Sequence, residues 1–135
     1  MEKDLNRCEE ISKLKQILPK ICRADTQQSK KEWSVANPFQ GHCAVVSLLV
    51  QDILGGNILW ATLEGTGWTG NHYWNLLPNG EEIDFTEDQF GGNRPDLRGE
   101  IRERDFLLSS KDTRNKYRLL VERYTDEKAR LSSLS

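Results

Sequence analysis

Residues 37–56 read NPFQGHCAVVSLLVQDILGG, and this stretch decides the fold. Asn37-Pro38 marks a turn, because the residue before a proline is pushed away from helical geometry. After Gly41 the chain is apolar almost all round, the pattern of a buried helix. Gly55-Gly56 is a C-terminal stop. Cys43 therefore sits in the first turn of a buried helix.

Upstream, Leu5, Cys8, Ile11, Leu14 and Leu18 recur at steps of three and four. This predicts an amphipathic helix over 3–18, ended or kinked by Pro19. Cys8 on that stripe, and Cys22 after it, read as small core residues. Residues 24–32 are polar and expected to be exposed. Downstream, NILWATL at 57–63 is rich in strand formers. A glycine-spaced loop, GTGWTG, occupies 65–70. Residues 72–77 and 81–85 then read as a hairpin around Pro78-Asn79-Gly80. Thr86 and Gln89 fit a capping box over TEDQF. Residues 91–99 are loop, and 101–108 favour a short helix. Asp112 or Thr113 is expected to cap a last helix over 113–131, with the stripe Tyr117, Leu120, Val121, Tyr124 and Leu131. The last few residues are expected to fray.

The bulk composition bounds the function. A chain of 135 residues suits one domain, 1–135, with a core over about 33–124. Hydrophobic residues are 36% and charged residues 30%, a globular balance. The longest apolar run, Ala44–Val50, is too short to span a bilayer. The charged N-terminus does not resemble a secretion signal, so a cytoplasmic location is expected. A net charge of −2 offers no general attraction for nucleic acid. There are three cysteines and no CxxC pair, so neither a disulfide framework nor a metal site is expected. Only two histidines exist, at 42 and 72. Any imidazole chemistry must use one of them.

The hairpin register brings His72 to a carboxylate. Leu77-Pro-Asn-Gly80 fits a type I turn followed by a left-handed glycine. That loop pairs Leu77 with Glu81 and Asn75 with Ile83. Trp74 then opposes Asp84, and His72 opposes Thr86. His72 and Trp74 share a face with Asp84, which is the diagonal neighbour of His72. A two-residue Asn-Gly turn would shift the register by one and move Asp84 to the other face. On the first register Tyr73, Leu77, Ile83 and Phe85 form an apolar face toward the core helices.

These three residues suit nucleophilic chemistry. A thiolate is favoured at a helix N-terminus and beside an imidazolium. The base must reach the sulfur, and a third group must orient the base. Cys43 is the candidate nucleophile, His72 the base and Asp84 the orienting carboxylate. The Cys43 backbone N–H lies where an oxyanion hole could form. Gln40 and the Trp33 indole are candidate second donors, and Trp74 is placed with them around the pocket. His42 is a poor base for Cys43, since adjacent helical residues do not face each other. It lines the pocket or bonds locally. Taken singly, each residue has a plain structural reading. A cysteine opening an apolar helix is ordinarily inert, a strand histidine is ordinarily structural, and Asp84 could simply cap the next turn. Their combination is what points to a site.

At these residues a resemblance appears. Gly41-x-Cys43, His72-x-Trp74 and Asp84-x-Thr86, in that order, are similar to the core of the transglutaminase-like cysteine superfamily, which is related in architecture to papain-like proteases. NPFQGHCAVVSLLVQDILGGNIL, together with HYWNLLPNGEEIDFTEDQF, also resembles the small bacterial YunG-like family over most of residues 33–124. The superfamily resemblance implies a Cys-bearing helix packed on an antiparallel sheet that carries His72 and Asp84. It implies acyl transfer through a thioester on Cys43. In YunG-like proteins glutamine commonly stands where His42 is, which implies an altered oxyanion donor here.

The expected fold is therefore α+β. A papain/transglutaminase-like core, the Cys helix on an antiparallel sheet of three or more strands, is flanked by N- and C-terminal helices. The expected function is a cysteine-dependent amide or peptide hydrolase, or an acyltransferase, needing no cofactor. Its substrate contains an amide or peptide. Neither nucleic acid nor membrane is an expected partner; either the substrate is small or a protein partner completes the site. The competing reading is an inactive binding module on the same fold. In that reading Trp68 and Arg94, with Arg98, form a rim for a ligand.

Overall fold

The apolar run after Gly41 forms α2, Cys43–Leu54, in a computed structural model that describes residues 2–28 and 33–134, with side chains from residue 6 onward. The helix stops at Gly55, whose N–H bonds to the Gln51 carbonyl at 2.9 Å. Its two sides pack on different layers. Val45, Val46, Leu49 and Val50 meet Leu14, Ile17, Leu18 and Ile21 of α1 (Glu2–Ile21) and Leu120 and Tyr124 of α4 (Lys111–Ser133). Leu48 and Ala44 meet Ile58, Tyr73 and Leu107 on the opposite side. Each fully buried aliphatic side chain here contributes about 1.5–3 kcal/mol relative to an exposed one.

The sheet has four antiparallel strands in the order β3-β2-β1-β4. β1 is Asn57–Thr62, β2 Asn71–Leu76, β3 Glu82–Ile83 and β4 Glu100–Arg102. Buried Asn75 donates to the Ser47 carbonyl at 3.0 Å and fastens β2 to α2. The other face of the sheet carries Leu59, Ala61 and Trp74, with Leu76 and Leu97 packed against them. Leu97 belongs to the chain between β3 and β4, so that segment covers this second face. Gly99 is part of the cover. A Cβ there would lie 2.6 Å from Trp74 Cζ2 and 3.0 Å from Leu59 Cβ, so only glycine admits the Trp74 ring.

The hairpin forms in the expected register. Leu77 N–H donates to the Glu81 carbonyl at 2.8 Å, Gly80 N–H donates to the Leu77 carbonyl at 2.9 Å, and Asn75 pairs with Ile83. Gly80 takes φ 92°, the left-handed position the turn requires.

Several expectations are corrected. α1 runs through Pro19 to Ile21. A proline this near the C-terminal end removes one donor from a helix already held by buried Ile17, Leu18 and Ile21. Cys8 is exposed, because the buried stripe follows Leu14, Ile17, Leu18 and Ile21; Cys22 is buried, as expected. The Leu5 side chain lies outside the described residues, as do 29–32 of the segment expected to be exposed. Within that segment Thr26 and Gln27 are buried. Residues 101–102 are strand, added to β1 as an edge, and the short helix α3 begins only at Arg104 and ends at Leu108. The cap of α4 is Ser110, whose hydroxyl accepts from Thr113 N–H at 3.3 Å. α4 also holds to Ser133 rather than fraying earlier. After Thr86 a 3-10 turn, Glu87–Phe90, forms without the capping box. Gln89 reaches back to the Thr86 carbonyl and hydroxyl, each at 3.0 Å.

Candidate active site

Asp84 is the hub of the arrangement. Its Oδ2 accepts from His72 Nε2 at 2.6 Å and from Arg94 Nε at 2.7 Å. Its Oδ1 accepts from Thr86 N–H at 3.1 Å and from the Thr86 hydroxyl at 3.2 Å. Asp84 thus closes a local turn onto Thr86 with one oxygen and holds His72 with the other, while Thr86 occupies the cap of the 3-10 turn. Burial pushes the Asp84 carboxyl up, but His72 and then Arg94 outweigh it and hold it below the usual range.

His72 is buried at the start of β2. Its ring stacks on Trp74 at 5.6 Å and meets Phe90 edge-on at 5.0 Å. With Nε2 on Asp84, Nδ1 is the ring nitrogen left free to serve Cys43, which lies near enough to help raise the imidazole pKa. Burial would lower the His72 pKa. The bond to Asp84 and then the nearness of Cys43 overcome that and raise it to about 9. Cys43 is partly exposed at the start of α2, where its own N–H has no partner within the helix. It opens onto a cleft of about 950 Å³.

The remaining residues separate. Gln40 and Trp68 line this cleft with Cys43. Trp33 does not offer its indole N–H, which donates to the Pro38 carbonyl at 3.2 Å. Trp74 is not a pocket residue. It lies buried behind His72, with its N–H on Glu82 at 2.8 Å. Arg94 is not a free rim cation: it holds Asp84 and lies 5.1 Å from the Trp74 ring centroid. His42 is fully buried and turned from the cleft. Its Nδ1 lies 3.0 Å from the Gln40 carbonyl, which can only accept, so Nδ1 carries the proton. Nε2 then accepts from Thr26 at 2.7 Å. Burial lowers the His42 pKa to about 4. Its side chain is therefore no altered oxyanion donor.

Two residues escaped the sequence reading. Phe90 covers the imidazole and meets Trp68 edge-on at 4.9 Å. Its signal was a lone large apolar residue in the polar run TEDQFGGN. Tyr73 lines the cleft close to Cys43; burial, then the nearby Cys43 charge, raises its pKa.

Beyond this geometry, comparison with known proteins supplies kinship. The family model described as YunG protein matches residues 10–129. The chain belongs to the YunG family. A 65-residue stretch is 35% identical to the protein named "Uncharacterized protein YunG" of Bacillus subtilis (strain 168). The match covers 48% of this chain and 52% of that relative, about half its length. No solved structure matches the chain. The YunG match takes in α2, the hairpin and Arg94, so the whole constellation lies inside the family region. Among the described residues no helix is long and apolar enough to cross a membrane.

Proposed function

We propose that this YunG-family protein is a cysteine-dependent amide or peptide hydrolase, or an acyltransferase, working through a thioester on Cys43. The observation that carries the reading is the buried His72–Asp84 pair, bonded at 2.6 Å, close behind a Cys43 that opens onto the cleft. A helix bearing Cys43 against an antiparallel sheet that bears His72, with Asp84 just past the end of β3, also suits kinship with the transglutaminase-like and papain-like proteins. A binding module gains less support, because its proposed rim cation, Arg94, is committed to Asp84.

The chemistry runs as follows. His72 takes the proton of the Cys43 thiol, and Asp84 stabilises the imidazolium that forms. The sulfur attacks the substrate carbonyl carbon, a C–S bond forms, and the carbonyl π pair moves to oxygen. The Cys43 backbone N–H faces that oxyanion from the helix start. The intermediate collapses, the C–N bond breaks, and the imidazolium delivers its proton to the departing amine. Water or an amine then gives His72 a proton and attacks the thioester. The C–S bond breaks, and the sulfur leaves as thiolate beside the imidazolium. Phe90 and Trp74 cover the ring, so proton traffic is confined to the side facing Cys43.

An acyl-trapping experiment tests this. A p-nitrophenyl ester should release a burst of nitrophenol, and mass spectrometry should find the acyl group on Cys43. Cys43→Ser should abolish both. Acylation at Cys8 or at no cysteine would overturn the proposal.

A further inference from the structure

The cleft itself indicates what chain it holds. None of the described residues that line it is charged. Asp84 and Arg94 are bonded to each other and lie outside its wall. Five residues with side-chain amides are among its lining, Gln28, Asn37, Gln40, Asn71 and Gln89; the amide N–H groups of Gln28, Asn37 and Gln89 are donated within the fold. Amides pair with other amides as donors and acceptors but cannot neutralise a buried charge.

Two groups of lining residues are tied to the neighbourhood of Cys43 by separate contacts. One end is formed by Trp68, Thr69 and Phe90, linked to the nucleophile through the ring contacts Trp68–Phe90–His72. At the other end Leu107, which packs with Ala44 beside Cys43, continues into Ser110 and Thr113. A substrate occupying both ends has chain on both sides of the bond attacked.

We propose that the cleft takes an uncharged, peptide-like chain running past Cys43 on both sides, with an apolar or aromatic side chain at the Trp68 end. This deepens the proposed function and rests on Cys43 being the nucleophile. At the Trp68 end, where no described lining residue is charged, a Lys or Glu side chain would lose water without gaining a counter-charge. A neutral side chain loses little, and the backbone amides of the substrate find the side-chain amides of Gln40 and Asn71. Rejection comes from the unpaired charge and discriminates more strongly than a change in apolar size.

The test uses N-acetylated peptidyl vinyl sulfones, identical except for Phe, Gln, Glu or Lys beside the reactive group. Adducts on Cys43 are timed by mass spectrometry on the full chain. The Phe and Gln probes should label at least about tenfold faster than the Glu and Lys probes. Thr69→Asp, which puts a carboxylate at the Trp68 end, should narrow or reverse the gap between the Lys and Phe probes. Equal rates, or a charged probe that labels fastest in the wild type, would overturn the inference. Iodoacetamide serves as the control. If it alkylates Cys43 while the probes show no charge preference, only this inference fails. If neither it nor any probe modifies Cys43, the nucleophile reading fails and takes the inference with it.

Discussion

At the scale of single residues, Asp84 and His42 show how similar polar groups reach opposite ends. Both are enclosed and both are hydrogen-bonded. Asp84 keeps its charge because His72 and Arg94 stand against one oxygen. His42 bonds to a carbonyl and a hydroxyl, and burial keeps it neutral. The His72–Asp84 contact was legible because the turn Pro78-Asn79-Gly80 fixes a register, and register fixes faces. The place of His42 was not legible. Helical geometry excludes it as a partner for Cys43, but nothing local reveals Thr26 across the fold. Arg94 was equally hidden, since a loop arginine carries no periodicity. Removing it should raise the Asp84 pKa, because one of the charges that hold it down is lost. The Asp84 carboxyl carbon in NMR should then titrate at higher pH in Arg94→Ala, with Arg94→Lys in between. An unmoved titration would remove Arg94 from the site. His42→Gln should preserve both contacts, since an amide can donate to Gln40 and accept from Thr26. It should also abolish the acid lability that a buried neutral imidazole brings.

Among the elements, α2 and the β2–β3 hairpin were readable and β4 was not. α2 is announced by its apolar run and its glycine stop. The hairpin is announced by its turn. β4 is three residues long, and it is strand only because β1 offers an open edge. Pro19 misled for a related reason. Its rule concerns helix interiors, whereas tertiary packing holds the last turn of α1. The segment between β3 and β4 is as important to the site as any regular element. It delivers Phe90 and Arg94 and closes over Trp74 through Gly99. Gly99→Ala should therefore destabilise the protein by about 1–3 kcal/mol, the cost of overpacking a filled site. Because Trp74 stacks on His72, the His72 ring resonances should shift as well. Denaturant unfolding and NMR read the two effects. A neutral substitution would mean that the ring and the Gly99 backbone are not in contact.

For the whole molecule, one histidine limits stability on each side of neutrality. His72 is raised from its ordinary 6.5 to about 9. Its contribution is complete below pH 6.5 and is lost as pH rises through 9. His42 is lowered from 6.5 to about 4. Its contribution is present above pH 6.5 and is lost as pH falls toward 4. Stability measured by urea unfolding should peak near pH 6.5 and fall on both sides. His42→Gln should flatten the acid side and His72→Gln the alkaline side. Leu14 is fully buried where α1 meets α2 and α4. Leu14→Ala should cost about 2–5 kcal/mol. If the core is continuous across the helices, it should lower one transition rather than split it.

The central claim, that Cys43 and His72 act as a unit, is tested most directly by the rate of iodoacetamide alkylation at Cys43 across pH 4–10. The rate should follow the titration of His72, and His72→Ala should change the shape of the profile. A wild-type profile like that of a free thiol, left unchanged by His72→Ala, would contradict the account.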